Sequence, residues 1–126
     1  MKETRRRIAV VDDEVSVRKA LQRLLRSAGM DVDMFPSGAE FLCAVQSLQP
    51  DCVVLDLHMP DVNGFDVQER IAQWGMRLPM IVITGHGTDE SRTRAIAGGA
   101  DLYLLKPVDD RVLLDGIVYA ISRHNS

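Results

Sequence analysis

Short apolar runs rich in β-branched residues alternate along this chain with longer stretches whose apolar positions recur at helical spacing. Four of the runs end on a polar group. Ile8-Ala9-Val10-Val11 runs into Asp12-Asp13, and Cys52-Val53-Val54-Leu55 into Asp56. Met80-Ile81-Val82-Ile83 runs into Thr84, and Leu102-Tyr103-Leu104-Leu105 into Lys106-Pro107. Runs of this length and composition predict buried strands. Asp31 to Phe35 predicts a further short strand, with weaker signals.

The stretches between them read as helices. Val15 to Ala28 places Val17, Ala20, Leu21, Leu24, Leu25 and Ala28 at helical spacing, with Gly29 as a C-terminal stop. Ser37-Gly38-Ala39-Glu40 fits a capping box, followed by Phe41, Leu42, Val45 and Leu48 on one face. Pro60 to Gly64 is a loop, and a helix from about Phe65 to Trp74 follows. Gly85-His86-Gly87-Thr88 is a turn into a polar helix, Asp89 to Ala97, which Gly98-Gly99 ends. Asp109 or Asp110 can cap a last helix carrying Val112, Leu113, Ile117, Val118 and Ile121.

Strand and helix thus alternate five times with no repeat, linker or low-complexity segment, which predicts an α/β fold with a parallel sheet and helices on both faces. The middle strands are nearly continuous apolar runs, as strands covered on both sides should be. The expected arrangement is the flavodoxin-like, doubly wound (βα)₅ order 2-1-3-4-5, which makes strands one and three neighbours. Asp12, Asp13 and Asp56 then meet at the carboxyl edge of the sheet, where open α/β sheets bind their ligands.

Composition narrows the function classes. A chain of 126 residues, 46% apolar and 26% charged, is one ordinary globular domain. The net charge of −3 carries no nucleic-acid footprint, and Arg5-Arg6-Arg7 reads as a solvated entry to the first strand. No apolar stretch approaches about 18 residues and no secretory leader pattern opens the chain, so the expectation is a cytoplasmic protein without membrane contact. Cys43 and Cys52 lack metal or redox spacing and read as buried free thiols, and Trp74 and the methionines as core or rim packing.

Three carboxylates crowded at one edge repel unless a cation joins them. A hard divalent ion that keeps waters and phosphate oxygens, Mg²⁺, suits such a site. Lys106 adds a positive charge and Thr84 a hydroxyl donor. The set fits a phosphoryl group: a carboxylate nucleophile, a metal clamp and two donors for phosphoryl oxygens. Taken singly, each residue has a plainer reading. Asp12 or Asp13 could cap the first helix, Lys106 could sit in a surface turn, and Thr84 could bond the backbone.

Together, Asp12-Asp13, Asp56, Thr84-Gly85 and Lys106-Pro107, with Met59-Pro60 and Gly64, resemble the response-regulator receiver domain of two-component systems over essentially the whole chain. The Ile83-Thr84-Gly85-His86-Gly87 turn is similar to that of the nitrogen-fixation regulator subgroup. The resemblance implies a phosphorelay role. Asp56 would accept phosphoryl from a phosphohistidine on a sensor histidine kinase or a histidine phosphotransfer protein. Asp13, Asp56 and the His58 backbone carbonyl would bind Mg²⁺ directly, and Asp12 through a water. Lys106 would pair with Asp56 and later with the phosphoryl oxygens. Thr84 would swing toward the phosphate and leave space for Tyr103 to turn inward. Gly85 would leave the approach open, and the Lys106-Pro107 bond is expected to be cis.

Phosphorylation would shift an existing two-state equilibrium, read out on the fourth helix, fifth strand and fifth helix. Kinase recognition would lie on the first helix and nearby loops. Phosphorylation-dependent homodimerisation would use the last two helices. His58 and His86, two residues after Asp56 and Thr84, are expected to tune phosphoryl lifetime, with a pH dependence because imidazole titrates near neutrality. The whole chain reads as one receiver domain with no output domain visible, and as no enzyme beyond its own phosphorylation and dephosphorylation.

Other classes fit less well. A haloacid-dehalogenase-type phosphotransferase would place a second aspartate where His58 stands, and would need a cap insertion. A flavin site would need glycines and amides where the first turn carries carboxylates. A receiver-like interaction module that works without phosphorylation is the remaining alternative.

Overall fold

A computed structural model of the chain describes residues 5–125. Among these residues five strands alternate with five helices: β1 Arg7–Val11, α1 Val15–Ser27, β2 Asp31–Phe35, α2 Gly38–Leu48 and β3 Cys52–Asp56 come first. α3 Gly64–Gln73, β4 Met80–Thr84, α4 Asp89–Ala97, β5 Leu102–Leu105 and α5 Asp110–His124 complete the series. The strands are all parallel, in the order β2-β1-β3-β4-β5 expected from the pattern.

The two-residue period of a strand divides the core. Ala9, Val11, Val53, Leu55, Met80 and Val82 face one way and pack with Phe41 and Val45 of α2, Val67 and Ile71 of α3, and Ala95 of α4. Their neighbours Ile8, Val10, Val54, Ile81 and Ile83 face the other way, onto Leu21 and Leu25 of α1 and Leu113, Ile117 and Ala120 of α5. β3 and β4 are buried along their whole length, whereas the edge strand β2 is half-buried throughout. Each fully buried Val, Leu, Ile or Phe contributes about 1.5–3 kcal/mol, so this double core can carry several buried polar groups at its rim.

Helix ends are fixed by local chemistry. Asn63 with Asp66 and Thr88 with Ser91 form reciprocal capping boxes at α3 and α4, and Asp109 caps α5 through the Val112 amide. The box expected at Ser37 is only half formed. Ser37 accepts the Glu40 amide, but the Glu40 carboxylate reaches the Ser37 hydroxyl instead of its backbone N–H. Gly29, at φ +84°, turns the chain out of α1 as a residue free of a Cβ can. Arg5 and Arg7 reach across to Asp31 and Asp33 on β2, exposed pairs of little energetic weight.

Two packing expectations divide. Cys52 is buried, and burial pushes its thiol up to about 12. Cys43 is exposed, contrary to expectation, because two residues beyond Phe41 is the opposite side of a helix whose inner face is Phe41 and Val45. Trp74 lies at the rim, with the Arg70 guanidinium 5.8 Å above its ring. Among the described residues, no helix is long and apolar enough to cross a membrane.

Candidate functional site

Strand parity sorts the polar endings as it sorts the core. Asp12 follows Val10, Asp56 follows Val54 and Lys106 follows Leu104, so all three fall on the α1/α5 side. Thr84 follows Val82 and shares the other side with Tyr103, which packs on the α2–α4 core. The ladder continues past the strand ends and holds these positions. The Leu57 amide donates to the Ile83 carbonyl (2.9 Å), and the Lys106 amide to the Thr84 carbonyl (2.8 Å). The Lys106-Pro107 peptide is cis. Gly64 is required below the site, since a Cβ there would lie 2.9 Å from the Asp56 carbonyl oxygen and from Leu57 Cα.

Lys106 is the centre of the charged cluster. Its Nζ lies 2.9 Å from Asp12 Oδ2, 3.2 Å from Glu14 Oε1 and 3.4 Å from Asp56 Oδ1. Asp12 and Asp56 are buried, whereas Asp13 is exposed. One oxygen from each of Asp12, Asp13 and Asp56 lies within 4.8 Å of the others. Asp12 is further fixed by its neighbours: Oδ1 accepts the Glu14 amide (2.9 Å), and its carbonyl accepts from the Arg18 guanidinium (2.8 Å).

The electrostatics follow from this crowding. Burial, then the Asp12 charge, push the Asp56 carboxyl up to about 7, against the opposing pull of Lys106. Burial alone would lower Lys106, but Asp12, Asp56 and Glu14 outweigh it and hold the ammonium above its ordinary range. Lys106 therefore stays charged and Asp56 is protonated far more readily than a free carboxylate.

On the other face, Thr84 is fully buried and its hydroxyl is engaged within its own turn. Oγ1 accepts the His86 amide (3.2 Å) and donates to the His86 carbonyl (3.3 Å). Tyr103 is half-buried, its hydroxyl 2.5 Å from Ser91 Oγ at the start of α4. His58 and His86 are exposed at the rim, where His58 Nε2 lies 3.4 Å from the His86 carbonyl oxygen. A Cβ at Gly85 would touch only the Lys106 side chain, at 3.9 Å, so this side of the cluster is open.

Comparison with known proteins agrees with this arrangement. The family model for the response regulator receiver domain matches residues 8–118. The chain belongs to the response regulator receiver domain family. It is 42% identical to nodulation protein W of Bradyrhizobium diazoefficiens over 119 residues, covering 92% of this chain and 51% of that protein. It is 34% identical to the transcriptional regulatory protein FixJ of Azorhizobium caulinodans over 116 residues, covering 92% of this chain and 55% of that protein. The crystal structure of FixJ-N superposes with a TM-score of 0.88 at 32% identity, covering 95% of this chain and 96% of that one. The receiver thus spans about half the length of the curated relatives it matches.

The donor set of this receiver fits a hard divalent cation. Three carboxylates, Asp12, Glu14 and Asp56, surround one ammonium, Asp13 adds a fourth beside Asp12 and Asp56, and burial with the Asp12 charge pushes Asp56 up to about 7. A small dication with oxygen ligands relieves both.

Of the residues named from the sequence, Asp12, Asp13, Asp56 and Lys106 meet in one cluster, whereas Thr84 and Tyr103 are set on the opposite sheet face. Two further residues of the receiver were not anticipated. Glu14 engages Lys106 and Ser91 engages Tyr103. The available signals were slight: a third acidic residue after Asp12-Asp13, and a serine three positions after the capping Thr88.

Proposed function

We propose that this receiver, residues 1–126, takes a phosphoryl group on Asp56 from a phosphohistidine of a sensor histidine kinase or phosphotransfer protein. The observation that carries the proposal is the position of Lys106 Nζ between the buried carboxylates of Asp12 and Asp56, with Asp13 alongside. An Asp56 carboxylate oxygen attacks phosphorus. The P–N bond breaks, and the departing imidazole nitrogen keeps the electron pair and takes up a proton. Asp13, Asp56 and the His58 backbone carbonyl would hold Mg²⁺, Asp12 acting through a water, and the bound ion supplies charge neutralisation at the phosphoryl oxygens.

Lys106 exchanges its carboxylate partner for a phosphoryl oxygen. Thr84 gives up its bond to the His86 carbonyl to donate to another, and Tyr103 turns inward behind it. His58 and His86, joined at the rim, set how readily water reaches the phosphoryl group. Turnover is confined to the receiver's own Asp56, so it is a switch, with no separate substrate to convert.

The output surface in this reading is α4, β5 and α5, where Ile96, Leu105, Val112, Val118 and Tyr119 are apolar and exposed. A homodimer formed on phosphorylation would cover them. The kinase would dock along α1 and the loop after β5, beside Lys106. A phosphohistidine donor places the receiver in the cytoplasm, and neither nucleic acid nor membrane is a direct partner.

Intact mass after treatment with acetyl phosphate or phosphoramidate tests the reading. A single added phosphoryl is expected with Mg²⁺ in the parent, and none in Asp56→Asn or without the ion. No adduct from either donor and no response to beryllofluoride would leave a module that binds partners without phosphorylation.

A further inference from the structure

Glu14 stands at the N-cap of α1, yet its side chain makes no bond to the helix it opens. Short side chains such as Asp, Asn and Ser serve at this position because their oxygen reaches the amides one turn on. The longer Glu14 side chain points across the site and brings Oε1 to 3.2 Å from Lys106 Nζ. An ammonium has three N–H donors, and three carboxylates surround this one. Lys106 is nearer Asp12 (2.9 Å) and Glu14 (3.2 Å) than Asp56 (3.4 Å).

Building on the phosphoacceptor reading, we propose that Glu14 is a positioning residue that holds Lys106 back from Asp56 until a phosphoryl group draws it away. It acts through Lys106. The contact is suited to release: the Glu14 side chain is 59% exposed, and ion pairs of exposed groups are weak. Asp12, fully buried, has no solvent to retreat into and keeps its hold. A phosphoryl group on Asp56 brings a charge of roughly −1.5 to −2 and new acceptor oxygens, and so outbids Glu14 for the Lys106 ammonium. Until then Glu14 occupies a donor that an incoming phosphoryl oxygen needs.

Two variants separate this contact from bulk charge. Glu14→Gln removes the charge. Glu14→Asp keeps it but is one methylene shorter, so its carboxylate caps α1 and no longer reaches Lys106. The first readout needs no phosphorylation: the Lys106 Nζ and Asp56 Cγ resonances of the unphosphorylated chain. Both resonances are expected to move in both variants, and stationary resonances overturn the proposal. The second readout is the initial rate of phosphorylation by acetyl phosphate at saturating Mg²⁺. Both variants are expected to react about three- to tenfold faster than the parent, a modest gain in keeping with an exposed pair. Glu14→Asp reacting at the parent rate while Glu14→Gln is faster would assign the effect to charge alone and overturn the proposal, as would parent rates in both. A parent that takes no phosphoryl group sinks the phosphoacceptor reading, while the resonances still decide whether Glu14 holds Lys106.

Discussion

The Tyr103 hydroxyl meets Ser91 Oγ at 2.5 Å and so ties β5 to the first turn of α4. Ser91 Oγ also accepts the Thr88 amide (3.1 Å) and donates to the Thr88 carbonyl (3.0 Å). A hydroxyl has one proton, so with the Thr88 carbonyl taking it, Tyr103 is the donor to Ser91. The same serine oxygen thus closes the α4 cap and holds the tyrosine at the side of the turn. A Cβ at Gly87 would run into Leu105 and come within 3.1 Å of the Tyr103 hydroxyl, so the ring passes directly against this turn.

Removing the two ends of this bond should have unequal effects. Tyr103→Phe loses one hydrogen bond and should cost about 0.5–1.5 kcal/mol. Ser91→Ala loses the bond and half the capping box, and should cost about 1 kcal/mol more. Urea unfolding of both single variants and the double variant measures the coupling. A coupling energy near zero would show that the bond contributes nothing in solution.

The fold was legible because three adjacent strands are covered on both faces, which writes them into the chain as apolar runs with polar ends. Those ends, Asp12, Asp56 and Thr84, were legible as candidates for the same reason, and Lys106 because it closes the apolar run of the edge strand β5. What pattern could not reveal was side-chain direction after folding. Glu14 prefers Lys106 to its own helix, Thr84 spends its hydroxyl on the His86 backbone, and Ser91 serves two elements. Cys43 was misplaced because helical spacing identifies an apolar face only when a cysteine is read by position as well as by type.

Gln68 should anchor the far end of α4. It is buried in α3, donates from Nε2 to the Ala95 carbonyl at 2.8 Å, and lies so close to Gly98 that a Cβ there would meet its Oε1 at 2.8 Å. Ala95 is the one buried residue of α4, so few other contacts hold this helix. Gln68→Leu keeps the volume but loses the bond, with an expected loss of about 1–2 kcal/mol. Amide exchange should quicken in α4 before the central strands. Unchanged α4 protection would contradict this role.

Mg²⁺ should stabilise the folded chain, since the clustered carboxylates exist only there. At about ten times its dissociation constant the ion adds about 1.4 kcal/mol by mass action. Thermal unfolding with and without MgCl₂ should show this gain in the parent and a smaller one in Asp13→Asn. An equal gain in both would remove Asp13 from the ion's ligands.

Without divalent ions, the pH dependence of stability should carry the signature of Asp56. Its carboxyl is raised from 3.8 to about 7 on folding, by burial and then by Asp12. The folded chain therefore holds this proton more tightly than the unfolded chain does, and unfolding releases it between those two values. Asp56 costs nothing below about pH 4, where both states are protonated. As pH rises from about 4 toward 7 the ionised form is increasingly penalised in the fold, and stability falls. Lys106 stays charged across this window and adds no slope. Asp56→Asn has no proton to release, so in EDTA it should be more stable than the parent at pH 8, by about 1–3 kcal/mol, and nearly equal at pH 4. Urea unfolding of both proteins from pH 4 to 8 measures the gap. Parallel profiles would mean that Asp56 ionises in the fold as easily as in water, and that the crowding at this site is already relieved without a metal ion.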